Sequence, residues 1–124
     1  MWNDDNDKIL EVLDLIDKDI IFPTKCPICE KTNAHLYMYR WKNSEKGTAW
    51  VWCSECKATA HERINLPKWW ENDIIFDENL LGIYPYMLEE SNIFVDAYIN
   101  ILKQGNKLSE SEQKELKAKL LNRG

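Results

Sequence analysis

A chain of 124 residues, 44% of them hydrophobic, can bury one modest core but not two, so a single domain over 1–124 is expected. Its net charge of −5 weighs against a partner held through a phosphate backbone. The opening Met1-Trp2-Asn3-Asp4-Asp5-Asn6-Asp7 is acidic where a secretory leader is basic, and no apolar run reaches spanning length, so a cytoplasmic protein with no membrane partner is expected.

The charge is unevenly spread. Residues 1–22 carry seven acids and two bases, and 71–104 carry seven acids and one base. Between them, 23–70 carries eight bases and four acids; the tail, 105–124, carries five bases and three acids. An acidic surface thus flanks a mildly basic centre.

Along the chain, Ile9, Val12, Leu13, Ile16 and Ile20 follow a 3.6-residue period, which predicts an amphipathic helix over 7–20, capped by Asn6 or Asp7. Its outer face carries Asp14 and Asp17, and Pro23 ends it. Next come Cys26-Pro27-Ile28-Cys29 and, twenty-three residues later, Cys53-Ser54-Glu55-Cys56. Alternation predicts a strand over 34–41, with His35, Tyr37, Tyr39 and Trp41 on one face, and a return strand over 48–53 carrying Trp50 and Trp52. Gly47 sits in the intervening turn, where a positive φ would suit it. That hairpin brings Cys53 back to Cys29. A third strand is expected over 57–63, and Pro67 can open a short helix.

Two such pairs place four thiolates around one tetrahedral ion, so Cys26, Cys29, Cys53 and Cys56 are expected to hold one structural Zn²⁺. Four thiolates leave no coordination position for water, which argues against metal catalysis. His35 and His61 are the candidates to stand beside the metal and donate hydrogen bonds to its ligands. Phosphate-loop glycines, a nucleophile-elbow serine and a paired-histidine zinc helix are all missing from the sequence, so no enzyme is expected.

After a single expected turn at 77–82, a helix is predicted over 92–104 with Phe94, Ala97, Tyr98, Ile101 and Leu102 inward and Gly105 as its C-terminal cap. Ser109-Glu110-Ser111-Glu112 is a capping box opening a last helix over 110–122, which only Leu116 and Leu120 would anchor. The expected fold class is α+β: a small antiparallel zinc-ribbon lobe at 23–66, flanked by N-terminal and C-terminal helices. The helices over 7–20 and 92–104 are expected to pack together and leave the ribbon as a projecting or flanking lobe.

The block from Cys26 to Asn72, with His35-Leu36-Tyr37, Trp50-Val51-Trp52-Cys53 and Leu66-Pro67-Lys68-Trp69-Trp70, resembles small bacterial zinc-ribbon immunity proteins of polymorphic or contact-dependent toxin systems. The resemblance implies a protein that binds and neutralises a cognate toxin, a nuclease among the toxins such proteins meet. Independently, charge and aromatic content nominate a surface for a basic protein partner: Asp14, Asp17, Glu71, Asp73, Asp77 and Glu78, with Tyr39, Trp41, Trp50 and Trp52. The alternative is a zinc-ribbon module that binds nucleic acid or assists transcription, its rings stacking bases between Arg40, Lys42, Lys46 and Lys57.

Overall fold

Alternating side chains in the central block form three antiparallel strands in sequence order: β1, Ala34–Arg40; β2, Lys46–Cys53; and β3, Thr59–Asn65. A computed structural model describes residues 7–72 and 92–121 of this α+β chain. A 3-10 helix, Asp7–Leu15, precedes the sheet, and two α-helices follow it: α1, Asn92–Lys103, and α2, Glu110–Leu121. The expected turn at 77–82 lies outside the described residues. No described helix is long and apolar enough to cross a membrane.

β1 pairs with β2 from Ala34 opposite Cys53 to Arg40 opposite Gly47, and β2 pairs with β3 from Lys46 opposite Asn65 to Trp52 opposite Thr59. Directly opposed residues share a face, so His35, Tyr37, Trp50 and Trp52 lie on one side and Leu36, Met38, Ala49, Val51 and Ala60 on the other. The second set is buried throughout. The 3-10 helix, which touches all three strands and buries Ile9 and Val12 in the same core, is the described element placed to cover it.

α1 packs on the first face. Trp70 stands edge-on to both Tyr37 and Tyr98, at 5.7 and 5.6 Å between ring centroids, and Tyr98 stacks on Phe94 of the same helix. This run of rings joins β1 to α1. The sheet therefore does not project as a lobe beside two mutually packed helices. Each helix instead lies against the sheet, because β1 presents apolar or aromatic side chains on both faces and needs cover on both.

Other departures from expectation are local. The first helix is 3-10 and stops at Leu15: Ile9 and Val12, three apart, align in a three-residue turn and fill the core, while Leu13 and Ile20 are only half-buried. Gly47 lies within β2, and close approach explains it, since a Cβ there would collide with the carbonyl oxygen of Tyr39; Asn43 takes the positive φ in the turn, at 57°. After Pro67 only one turn forms, closed by Trp70 N–H donating to the Pro67 carbonyl. The buried stripe of α1 includes Val95, Asp96 and Ile99, whereas Ala97 and Ile101 are half-buried.

The free edge of β1 is closed at both ends. Thr24 exchanges two backbone hydrogen bonds with Ala34, and the Asn72 side chain accepts from Arg40 N–H and donates to Arg40 C=O. Asn100 does the same for the backbone of Phe22, seventy-eight residues away. As expected, Gly105 at φ 87° ends α1, with Gly105 N–H bonded to Leu102 and Asn106 N–H to Ile101. Ser109 and Glu112 exchange the two bonds of the capping box. Leu116 is half-buried, and the side chain of Leu120 lies outside the described set.

Candidate metal centre

Each cysteine pair forms the same backbone knuckle. Cys26 N–H donates to the Lys31 carbonyl and Cys53 N–H to that of Ala58, while Glu30 N–H and Lys57 N–H return to the carbonyls of Cys26 and Cys53. Both turns close through a left-handed residue just after the second cysteine, Glu30 at φ 65° and Lys57 at φ 64°. In both, the N–H two residues on approaches the first sulfur: Ile28 to Cys26 Sγ at 3.3 Å and Glu55 to Cys53 Sγ at 3.4 Å. Backbone donors aimed at sulfur favour thiolate.

The hairpin of β1 and β2 sets the two knuckles face to face. All four Sγ atoms lie within 4.8 Å of one another, Cys26 to Cys56 at 3.8 Å and Cys29 to Cys53 at 3.6 Å. These separations are far longer than a disulfide, and all four cysteines are free. A tetrahedral ion about 2.3 Å from each thiolate requires sulfurs about 3.8 Å apart, so the cluster can hold one metal ion and completes its coordination.

Cys26 and Cys53 are buried; Cys29 and Cys56 are half-buried. Burial pushes the Cys53 thiol up to about 12 and also raises Cys56. Burial opposes ionisation of Cys29 too, but hydrogen bonds from the Lys31 backbone and from the other three thiols outweigh it and lower the Cys29 value. A cation among the sulfurs favours thiolate at all four positions.

His35 bonds to Ser54 and Asp96, not to a sulfur, and belongs to a polar chain beside the second knuckle that is buried at its His35–Asp96 end. Trp52 Nε1–H donates to Asn92 Oδ1 at 3.0 Å, and Asn92 Nδ2 donates to Ser54 Oγ at 2.8 Å. His35 Nε2 lies 2.8 Å from Ser54 Oγ, and His35 Nδ1 lies 2.9 and 3.0 Å from the two carboxylate oxygens of Asp96. An indole can only donate, which fixes which way the Asn92 amide faces, and the Asp96 carboxylate accepts at the far end. Asn92 therefore donates to Ser54, and with His35 neutral and its proton on Nδ1 the remaining bonds run the same way, Ser54 O–H to His35 Nε2 and His35 Nδ1–H to Asp96. Trp52 also stacks on His35, at 5.4 Å.

The remaining candidates are scattered. His61 is exposed on β3 opposite Trp50, three positions beyond Ala58 and so roughly 10 Å along the strand from the level of Cys53. Trp52 is 0% exposed, which makes it core and removes it from any partner-binding surface. Tyr39, Trp41 and Trp50 are half-buried, with the Arg63 guanidinium 5.2 Å above the Trp41 ring. Asp14 and Asp17 are exposed, and Glu71 is exposed and paired with Lys107 at 3.1 Å. Asp73, Asp77 and Glu78 lie outside the described residues. Sequence reasoning passed over Ser54, Asn92 and Asp96. An acid inside the apolar run Phe94-Val95-Asp96-Ala97-Tyr98 was the available signal.

Compared with protein families, with curated proteins and with solved structures, the chain matches none.

Proposed function

We propose that this chain is a zinc-stapled binding protein, an immunity protein that neutralises a cognate toxin by occupying it. The observation that carries the binding half of this reading is the closed four-sulfur cluster: an ion there has all its ligands from the protein, so it holds the knuckles together and leaves no position for substrate. Zinc is the metal that four thiolates in tetrahedral array suit best. Support for a basic protein partner comes from the exposed acids Asp14 and Asp17 and from the net charge of −5, which would steer such a partner in. The toxin assignment rests on the likeness of residues 26–72 to immunity proteins.

Two measurements test it. Elemental analysis of the reduced protein should give one zinc per chain. The reading expects a toxin domain in the neighbouring reading frame, whose co-expression with this chain should restore growth and yield a stoichiometric complex; absence of such a frame, or unaltered toxicity with no complex at micromolar concentrations, overturns the immunity reading. One observation favours the nucleic-acid alternative: Arg63 over Trp41, beside half-buried Trp50, has the cation-and-ring composition of a base-stacking surface. Tight binding of oligonucleotides by the isolated protein, weakening steeply with salt, would establish that reading instead.

A further inference from the structure

The directional chain beside the second knuckle ends in the arrangement of a serine nucleophile, its base and the base's orienting acid. Ser54 Oγ is 2.8 Å from His35 Nε2, and His35 Nδ1 faces both oxygens of Asp96 at 2.9 and 3.0 Å. The burial grades as acyl transfer requires. The His35 and Asp96 side chains are 4% and 12% exposed, whereas Ser54 is half-exposed. All three line an open cleft of about 490 Å³, with Asn33, Asn92 and Ile93 among its other walls.

The geometry points to a second site, in which Ser54, His35 and Asp96 hydrolyse a small uncharged carboxylic ester. The His35 tautomer that donates Nδ1–H to Asp96 presents its Nε2 lone pair to Ser54 Oγ at 2.8 Å, within reach of the hydroxyl proton. Ser54 Oγ attacks the ester carbonyl carbon, forming an Oγ–C bond as its proton passes to His35 Nε2. The tetrahedral adduct collapses, the C–O bond to the alcohol breaks, and the alcohol leaves with the proton from Nε2. Water then attacks the acyl-serine, giving up a proton to Nε2, and the carboxylic acid departs as that proton returns to Ser54. Apart from His35 and Asp96 themselves, the described lining carries no ionisable side chain, which sets the preference for an uncharged substrate.

This site stands apart from toxin binding, needs no partner, and fails separately from it. The test uses the full-length, metal-loaded chain with a fluorophosphonate and with p-nitrophenyl acetate. One adduct per chain, mapped to Ser54 by peptide mass spectrometry, is the expected result. Ser54→Ala should abolish both the adduct and ester turnover with metal content unchanged, and Asp96→Asn should slow both at least a hundredfold. His61→Ala should change neither. Absence of Ser54 labelling in the wild-type chain overturns the site, as does turnover that persists in Ser54→Ala. If the variants lose stability while the wild-type serine stays inert, the chain of hydrogen bonds is only a structural lock and the inference falls.

Discussion

The two cysteine knuckles share one backbone and differ at one working position. In each, the same pair of carbonyls, the same left-handed residue and the same N–H-to-sulfur approach recur. Where the first knuckle has Pro27, the second has Ser54, whose hydroxyl oxygen accepts from Asn92 of α1. A proline stiffens the first turn without reaching out of it. The serine makes the second turn a junction, read by His35 from β1 and by Asn92 from α1. The two knuckles would therefore share the holding of a metal equally, while the hydrogen bond to the helix belongs to the second.

The largest expected effect tests the symmetric part. Removing the metal with a chelator, or replacing either buried ligand by Cys26→Ala or Cys53→Ala, should unfold the sheet. Metal binding in small thiolate domains contributes about 10–16 kcal/mol, as much as a whole domain's stability. Loss of tryptophan near-ultraviolet ellipticity with the metal would register it. Cys29→Ala and Cys56→Ala should weaken metal binding less, because those half-exposed positions let water complete the coordination. Equal loss in all four variants would erase the distinction between inner and outer sulfurs.

Acidification sharpens the same point. With its value pushed up to about 12 by burial, metal-free Cys53 holds its proton across the neutral range, and metal must displace it. The sign follows: protons compete with metal, so affinity falls as pH falls and rises as pH rises. Zinc titrations at about pH 6 and pH 7.5, monitored with a competing chelator, should show at least a tenfold weaker site at the lower pH, since each displaced proton is worth about 1.4 kcal/mol per pH unit. A pH-independent affinity would mean that the thiols are already ionised without metal.

What could be read from the residues follows this division. The ligand set was legible because two short cysteine spacings and an alternating hairpin point to one geometry, and the capping box and Gly105 were legible because caps act within a few residues. The relay was not. His35 and Asp96 are sixty-one residues apart, and no periodicity links a strand histidine to a helix acid. Nor does alternation reveal that both faces of β1 are covered, so Trp52, which looked like a surface ring, is core. The 3-10 form of the first helix depends on which side chains the sheet accepts, and that is a tertiary fact.

A smaller effect separates the knuckles directly. Ser54→Ala leaves Asn92 and His35 without the oxygen they share, and unsatisfied buried groups cost about 1–3 kcal/mol. Pro27→Ala should cost about 0.4–1 kcal/mol, through unfolded-chain entropy alone. Hydrogen exchange should place the Ser54 loss in α1 and spread the Pro27 loss evenly. Matching losses in both would mean that Ser54 couples to nothing.

The finest test returns to what the knuckles share. Glu30 and Lys57 both adopt left-handed backbone, a conformation that costs a residue with a Cβ about 1–2 kcal/mol and glycine much less. Glycine also gives the unfolded chain more freedom, which offsets part of the relief. Glu30→Gly and Lys57→Gly should each therefore stabilise the metal-bound protein by roughly 0.5 kcal/mol, visible as a small rise in Tm. The ion pair that Glu30 forms with Lys25 at 3.5 Å is exposed at both ends, so its loss should hardly reduce the gain. Gains of equal size would show that the two turns carry equal backbone strain. A gain at one position and a loss at the other would show that the matching φ values conceal different local energies, and the two halves would then differ in backbone energy as well as in side chains.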